Sequence, residues 1–244
     1  MIFSDNDKNI IKNNIISIGT CCYYGLYKNK FFKDLYIKNN GYNKSKIKNI
    51  DKGITNFFDW LLCVYPNNVE ILKITDPNQV FKCDNWSVNK SRKKATLNKN
   101  VNYSGKYLIK SLHDYHNNLQ NNVIDKYIRR HNRLIQTIKN KSNLIFVYSE
   151  ELLDTALHNI IQTIKNLTNN KFTIILWSKN PSIINSKHNY TIKEINNISV
   201  YTINMHCMTN NKLLINNRYY LHPGNINTEL LFYTMIAIYN KELK

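Results

Sequence analysis

The 244 residues are 43% apolar and 12% aromatic, enough to build a core of domain size, which excludes a disordered or fibrous chain. With 34 basic and 16 acidic residues the formal charge is +18, a balance that ordinarily points to nucleic acid, an anionic surface or an acidic substrate. Here Asn, Ile, Lys and Tyr make up about half of the chain and Arg is scarce, so the lysine excess reads as AT-rich coding on solvated faces, of the kind some large DNA viruses, protists and low-GC bacteria show.

Residues 1–12 contain no basic stretch leading into an apolar one, so no secretion signal is expected and the segment reads as a flexible tail. Asn14 to Ile18 is a β-branched apolar run that closes at Gly19-Thr20. Cys22 to Phe32 follows with helical character, giving a strand, tight turn and helix. Residues 38–52 are dense in Asn and Lys and read as a surface loop. Asn56 to Val64 is a hydrophobic block enclosing Asp59, and Pro66-Asn67-Asn68 opens a short helix from Val69 to Ile74. Residues 84–102 read as a second surface loop, in a region from 78 to 110 where pattern does not separate strand from loop.

Val123 to Ile138 is an amphipathic helix with Arg129, Arg130 and Arg133 on its outer side. Leu144 to Tyr148, Phe172 to Trp177 and Ile198 to Ile203 are short continuous apolar runs, the pattern of strands buried on both faces, and Glu150 to Leu167 and Thr228 to Tyr239 are helices. This alternation predicts a single three-layer α/β domain with a mainly parallel central sheet. The longest apolar stretch, Leu230 to Tyr239, is too short to span a bilayer.

Five cysteines at Cys21, Cys22, Cys63, Cys83 and Cys207 form an odd set without repeated spacing, so a reducing, cytoplasmic compartment is expected rather than a disulfide framework. No Cys or His pair has metal-ligand spacing apart from the adjacent His206 and Cys207, and neither a metal nor another cofactor is expected. In α/β sheets sites form at the carboxyl ends of strands, where the first strand delivers Gly19, Thr20, Cys21 and Cys22. A thiol at the start of the following helix meets free backbone N–H groups and the positive end of the helix dipole, which stabilise a thiolate and the oxyanion of an acyl intermediate. The competing reading is a small buried hydrophobe at an ordinary turn. A thiol nucleophile needs a base and a group to orient it. His113 ends an apolar segment, and His222 with Asn225 nearby is its rival. Asp114 neighbours His113, but adjacent residues on an extended chain point to opposite faces, so Asp59 is the better orienter.

These residues resemble a known family. Ser17-Ile18-Gly19-Thr20-Cys21-Cys22, Asn56-Phe57-Phe58-Asp59-Trp60, the segment Tyr107 to Tyr115 with His113-Asp114, and the Arg-rich helix from Tyr127 running into Leu144 to Tyr148 are together similar to DUF1796, a family described as papain-like cysteine peptidases. The likeness covers about residues 14–150 and is looser to 204. It departs at Thr20, at Ile18 and at Asn56-Phe57, none of which removes a reactive group. It implies Cys22 as nucleophile, His113 as base and Asp59 as the block acid; Gly19, Thr20, Trp60 and Asp114 are the expected substrate contacts beside them. It also implies a papain-like α+β fold as the alternative to the α/β domain read from the strands.

The expected function is therefore a cysteine hydrolase, peptidase or acyltransferase acting on a peptide, acyl or glycan substrate. A transferase using sugar- or phosphate-bearing donors is the first alternative, with Arg129 and Arg130 as phosphate ligands. A nucleic-acid-binding protein using Lys90, Arg92, Lys93 and Lys94 is the second, disfavoured because no recognition motif accompanies that run.

Overall fold

A computed structural model describes residues 2–19, 23–51, 57–63, 65–81, 86–89, 94–97, 109–111, 122–178, 189–209 and 225–243. The first part of the chain forms α1 (Asp5–Asn13), β1 (Ile15–Ser17), α2 (Tyr23–Asn40), α3 (Lys44–Lys48) and a 3-10 turn over Phe57–Trp60. Next come β2 (Leu61–Leu62), α4 (Asn67–Leu72), α5 (Pro77–Val80), β3 (Trp86–Asn89), β4 (Lys94–Leu97) and β5 (Ile109–Ser111). The second half holds α6 (Asn122–Asn140), β6 (Leu144–Tyr148), α7 (Asp154–Lys165), β7 (Phe172–Ser178), β8 (Tyr190–Ile195), β9 (Ile198–Asn204) and α8 (Thr228–Glu242).

The main sheet has the order β1-β6-β7-β9-β8, with the first four strands parallel and β8 antiparallel at the edge. The parallel pairs run in register through Ile16–Phe146, Phe146–Ile174 and Ile174–Val200. Every residue of β1, β6 and β7 is buried, as expected for strands covered on both faces. On one face Ile16, Phe146, Ile174 and Val200 pack against α4, α6 and α7. On the other, Ile15, Val147, Ile175 and Tyr201 pack against α1, α2 and α8. This is the three-layer α/β arrangement predicted from the apolar runs, and the helical spacing of Ile124, Tyr127, Leu134 and Ile138 shows which side of α6 meets the sheet. A second sheet, β2-β5-β4-β3, is antiparallel throughout.

Four expectations need correction. Residues 5–13 are not a flexible tail: Ser4 and Asp7 form a capping box, and Phe3, Ile10 and Ile11 are buried in the core beside α8. The 84–102 segment, expected as a surface loop, contains the paired strands β3 and β4. Within 38–52, α2 continues to Asn40, and Asn43 caps α3 through its side chain. β8 went unpredicted because only Ile195 among its residues is buried. It is joined to β9 by Asn196-Asn197, both at positive φ, a conformation Asn tolerates in tight hairpins.

Candidate active site

The carboxyl end of β1 is locked by neighbours from three elements. The Ile18 N–H donates to the Val147 carbonyl at 2.9 Å, and Asn68 Nδ2 in α4 donates to the Ile18 carbonyl at 3.0 Å. Gly19 follows with φ +148°, and a Cβ there would stand 2.7 Å from the Cys63 carbonyl oxygen and 2.8 Å from Cε2 of Tyr148. The residue has to be glycine for both reasons. Tyr148, at the end of β6, is held in turn by the Tyr65 N–H, which donates to its hydroxyl at 2.9 Å.

Thr20, Cys21 and Cys22 come between Gly19 and Tyr23, the first residue of α2, and lie outside the described residues. The chain therefore has three residues in which to pass from a buried strand end to a helix start. From adjacent β1 and β6 the following helices go to opposite faces, α2 to the face of Tyr201 and α7 to the face of Val200. Adjacent strands whose connections part in this way leave a crevice at their carboxyl ends, the usual ligand position in such sheets.

Asp59 and Trp60 belong to the 3-10 turn. Their backbone is described, and their side chains lie outside what is described. The turn is fixed by Phe57 and Phe58, both fully buried. Phe57 packs on Phe81 at 5.3 Å and on His131 at 5.8 Å between ring centroids. Trp60 leads directly into β2, whose first residue, Leu61, pairs with Ser111, the last of β5. His113 and Asp114 follow Ser111 closely and lie outside the described residues, as does the rival His222. Of the predicted site, the structure thus describes Gly19 and the backbone of Asp59 and Trp60.

The described cysteines are Cys63 and the partly exposed Cys207. Cys63 is buried, and burial pushes its thiol well above the ordinary range, so it is protonated and a poor nucleophile. His131 is buried in α6, where its Nε2 lies 2.9 Å from the Ile71 carbonyl. That contact requires the Nε2–H tautomer, and burial holds the ring below the usual imidazole range. His131 is a strut between α6 and α4. Among the described residues no group of three His, Cys, Asp or Glu side chains is arranged to hold a metal, and no helix is long and apolar enough to cross a membrane. Arg129 is exposed, and Lys94 opens β4, whereas Lys90, Arg92 and Lys93 lie outside the described residues.

Sequence reasoning missed Asn68 and Tyr148, which set the path of the β1 exit. Tyr148 ends a predicted strand beside β1, and that position was the available signal. Asn68 offered none, since its contact with Ile18 spans 50 residues. The chain matches no protein-family model, no curated protein and no solved structure.

Proposed function

We propose that the protein is a cysteine hydrolase or acyltransferase, with Cys22 as nucleophile, His113 as general base and acid, and Asp59 orienting the imidazole. The observation that carries this reading is the Leu61–Ser111 pair. In an antiparallel ladder the residues preceding Leu61 and those following Ser111 leave at the same end. Asp59 and His113 are each two positions along the sequence from that pair, which supports a reading in which an acid and a base from distant parts of the chain act together. The 3-10 turn bearing Asp59 packs against β1, α2 and α6, which ties that end to the strand and helix flanking Cys22.

In this mechanism His113 takes the thiol proton and the Cys22 thiolate attacks the carbonyl carbon of an acyl substrate. Backbone N–H groups at the start of α2 stabilise the oxyanion. Collapse of the intermediate breaks the bond to the leaving group, which receives the proton from His113. The resulting thioester passes to water in hydrolysis or to an acceptor in transfer, with His113 again as base. Gly19, Thr20, Trp60 and Asp114 are the substrate contacts of the same proposal. Membership of the DUF1796 family belongs to it too, as does a reducing, cytoplasmic setting that keeps the thiol active. A transferase using a phosphate-bearing donor would draw on the same helix start.

The test is limiting alkylation with iodoacetamide, followed by mapping of all five cysteines. The proposal predicts that Cys22 is labelled at least about tenfold faster than the others. Uniform labelling of the cysteines, or an inert Cys22, argues for the phosphate-binding alternative.

A further inference from the structure

Buried polar atoms in folded proteins are nearly always paired, so unpaired ones call for an explanation. Among the described residues, Ser17 Oγ, Asn68 Oδ1, Ser149 Oγ, Trp177 Nε1 and Asn204 Nδ2 are buried without a hydrogen-bond partner. All five lie at the carboxyl ends of β1, β6, β7 and β9 or just past them, or against Gly19 in the case of Asn68. Two further such atoms, on Arg130 and His131, belong to α6. One isolated orphan is met by a single ordered water. A row along the edge where parallel sheets bind ligands is a different matter.

At that edge three side chains form a set, one of them from the row. Ser178 ends β7 and is paired in register with Asn204, which ends β9; both face the side of the sheet that carries α7, about 5 Å apart in neighbouring strands. Glu151, in the segment between β6 and α7, accepts a hydrogen bond from Ser178 Oγ through Oε1 and is itself solvent-exposed. Asn204 spends its Oδ1 on the His206 N–H at 2.9 Å, which leaves its fully buried amide with donors to spare.

We infer that this edge binds a neutral, hydroxyl-rich ligand, a sugar or sugar-bearing substrate, with Glu151 accepting from a ligand hydroxyl and Asn204 Nδ2 donating to the same or a neighbouring one. A hydroxyl is donor and acceptor at once, which is what a carboxylate beside an amide N–H group requires. A phosphate ester, with its second pKa near about 6, is mostly the dianion at neutral pH, so it rarely has a proton to give Glu151 and meets its charge with repulsion. The inference stands independently of the role of Cys22. If both hold, the acyl substrate is sugar-bearing.

The experiment is titration of the full chain with glucose, galactose, mannose, ribose and N-acetylglucosamine, and with a phosphate ester of each, followed by amide NMR. At least one neutral sugar is expected to saturate with its largest shifts at Ser178, Asn204 and Glu151, and to bind more tightly than its phosphate ester. Glu151→Gln, at an exposed position, and Asn204→Ser, which retains an oxygen to accept from the His206 N–H, should each weaken binding about tenfold. Absence of saturable binding, tighter binding of the esters, or unchanged affinity in Glu151→Gln overturns the inference. An inert Cys22 does not touch it.

Discussion

Leu61 and Ser111 stand opposite each other where β2 begins and β5 ends, and this pairing joins two sequence blocks about 50 residues apart into one ladder end. The proposed acid lies two residues before the first and the proposed base two residues after the second. If they act as a unit, their effects are not additive. Asp59→Asn and His113→Ala should each lower the alkylation rate of Cys22 at neutral pH, by up to about thirtyfold, the thiolate fraction lost when the thiol pKa returns to about 8.5. The double variant should be no slower than His113→Ala alone. Multiplicative losses would mean that Asp59 acts elsewhere, as a structural acid of the 3-10 turn.

Gly19→Ala should destabilise the fold severely, because the added methyl meets the Cys63 carbonyl and the Tyr148 ring at under 3 Å and the backbone is held at φ +148°. Overpacking and strain together suggest a loss of about 3 kcal/mol in urea denaturation. Gly41→Ala is the control. Gly41 also has positive φ, +72°, but nothing lies within 4 Å of the added carbon, so only the backbone preference is lost, about 1 kcal/mol. Equal losses at the two sites would contradict the crowding described at the β1 exit.

His131 makes stability fall in mild acid. Burial lowers its folded-state pKa below the 6.5 of the free side chain, so in the interval just below 6.5 the unfolded chain binds a proton that the folded chain refuses. Stability therefore rises with pH across that interval and is lost as pH falls through it. His131→Gln should flatten that part of the pH dependence, at the cost of the bond to Ile71. Denaturation midpoints measured between about pH 5 and 7.5 read it directly; an unchanged slope in the variant would show that another group is responsible.

How much was legible in the sequence follows from how each element is stabilised. β6 and β7 are buried on both faces, so tertiary burial wrote itself into the chain as uninterrupted apolar runs, Leu144 to Tyr148 and Phe172 to Trp177. α1 touches the core through Ile10 and Ile11, with Phe3 just before it, and β8 buries only Ile195, so most of their residues follow the Asn- and Lys-rich composition of a surface. The capping pair Ser4 and Asp7 and the hairpin Asn196-Asn197 were the local signals available for them. At the site, strand-end position pointed to Gly19. The contacts of Asn68 with Ile18 and of Tyr65 with Tyr148 are made across the fold, and no local pattern encodes them.

The most direct measurement is the pH dependence of Cys22 alkylation in the wild-type chain and in His113→Ala. A thiol at a helix start with an imidazole partner stays reactive well below the ordinary thiol pKa of about 8.5, so the wild-type profile should remain high at least about two pH units below that value. Removal of His113 should return the midpoint toward 8.5 and slow the reaction at neutral pH. An ordinary thiol titration in both chains, with equal rates, would contradict the assignment of Cys22 and His113 as a catalytic pair.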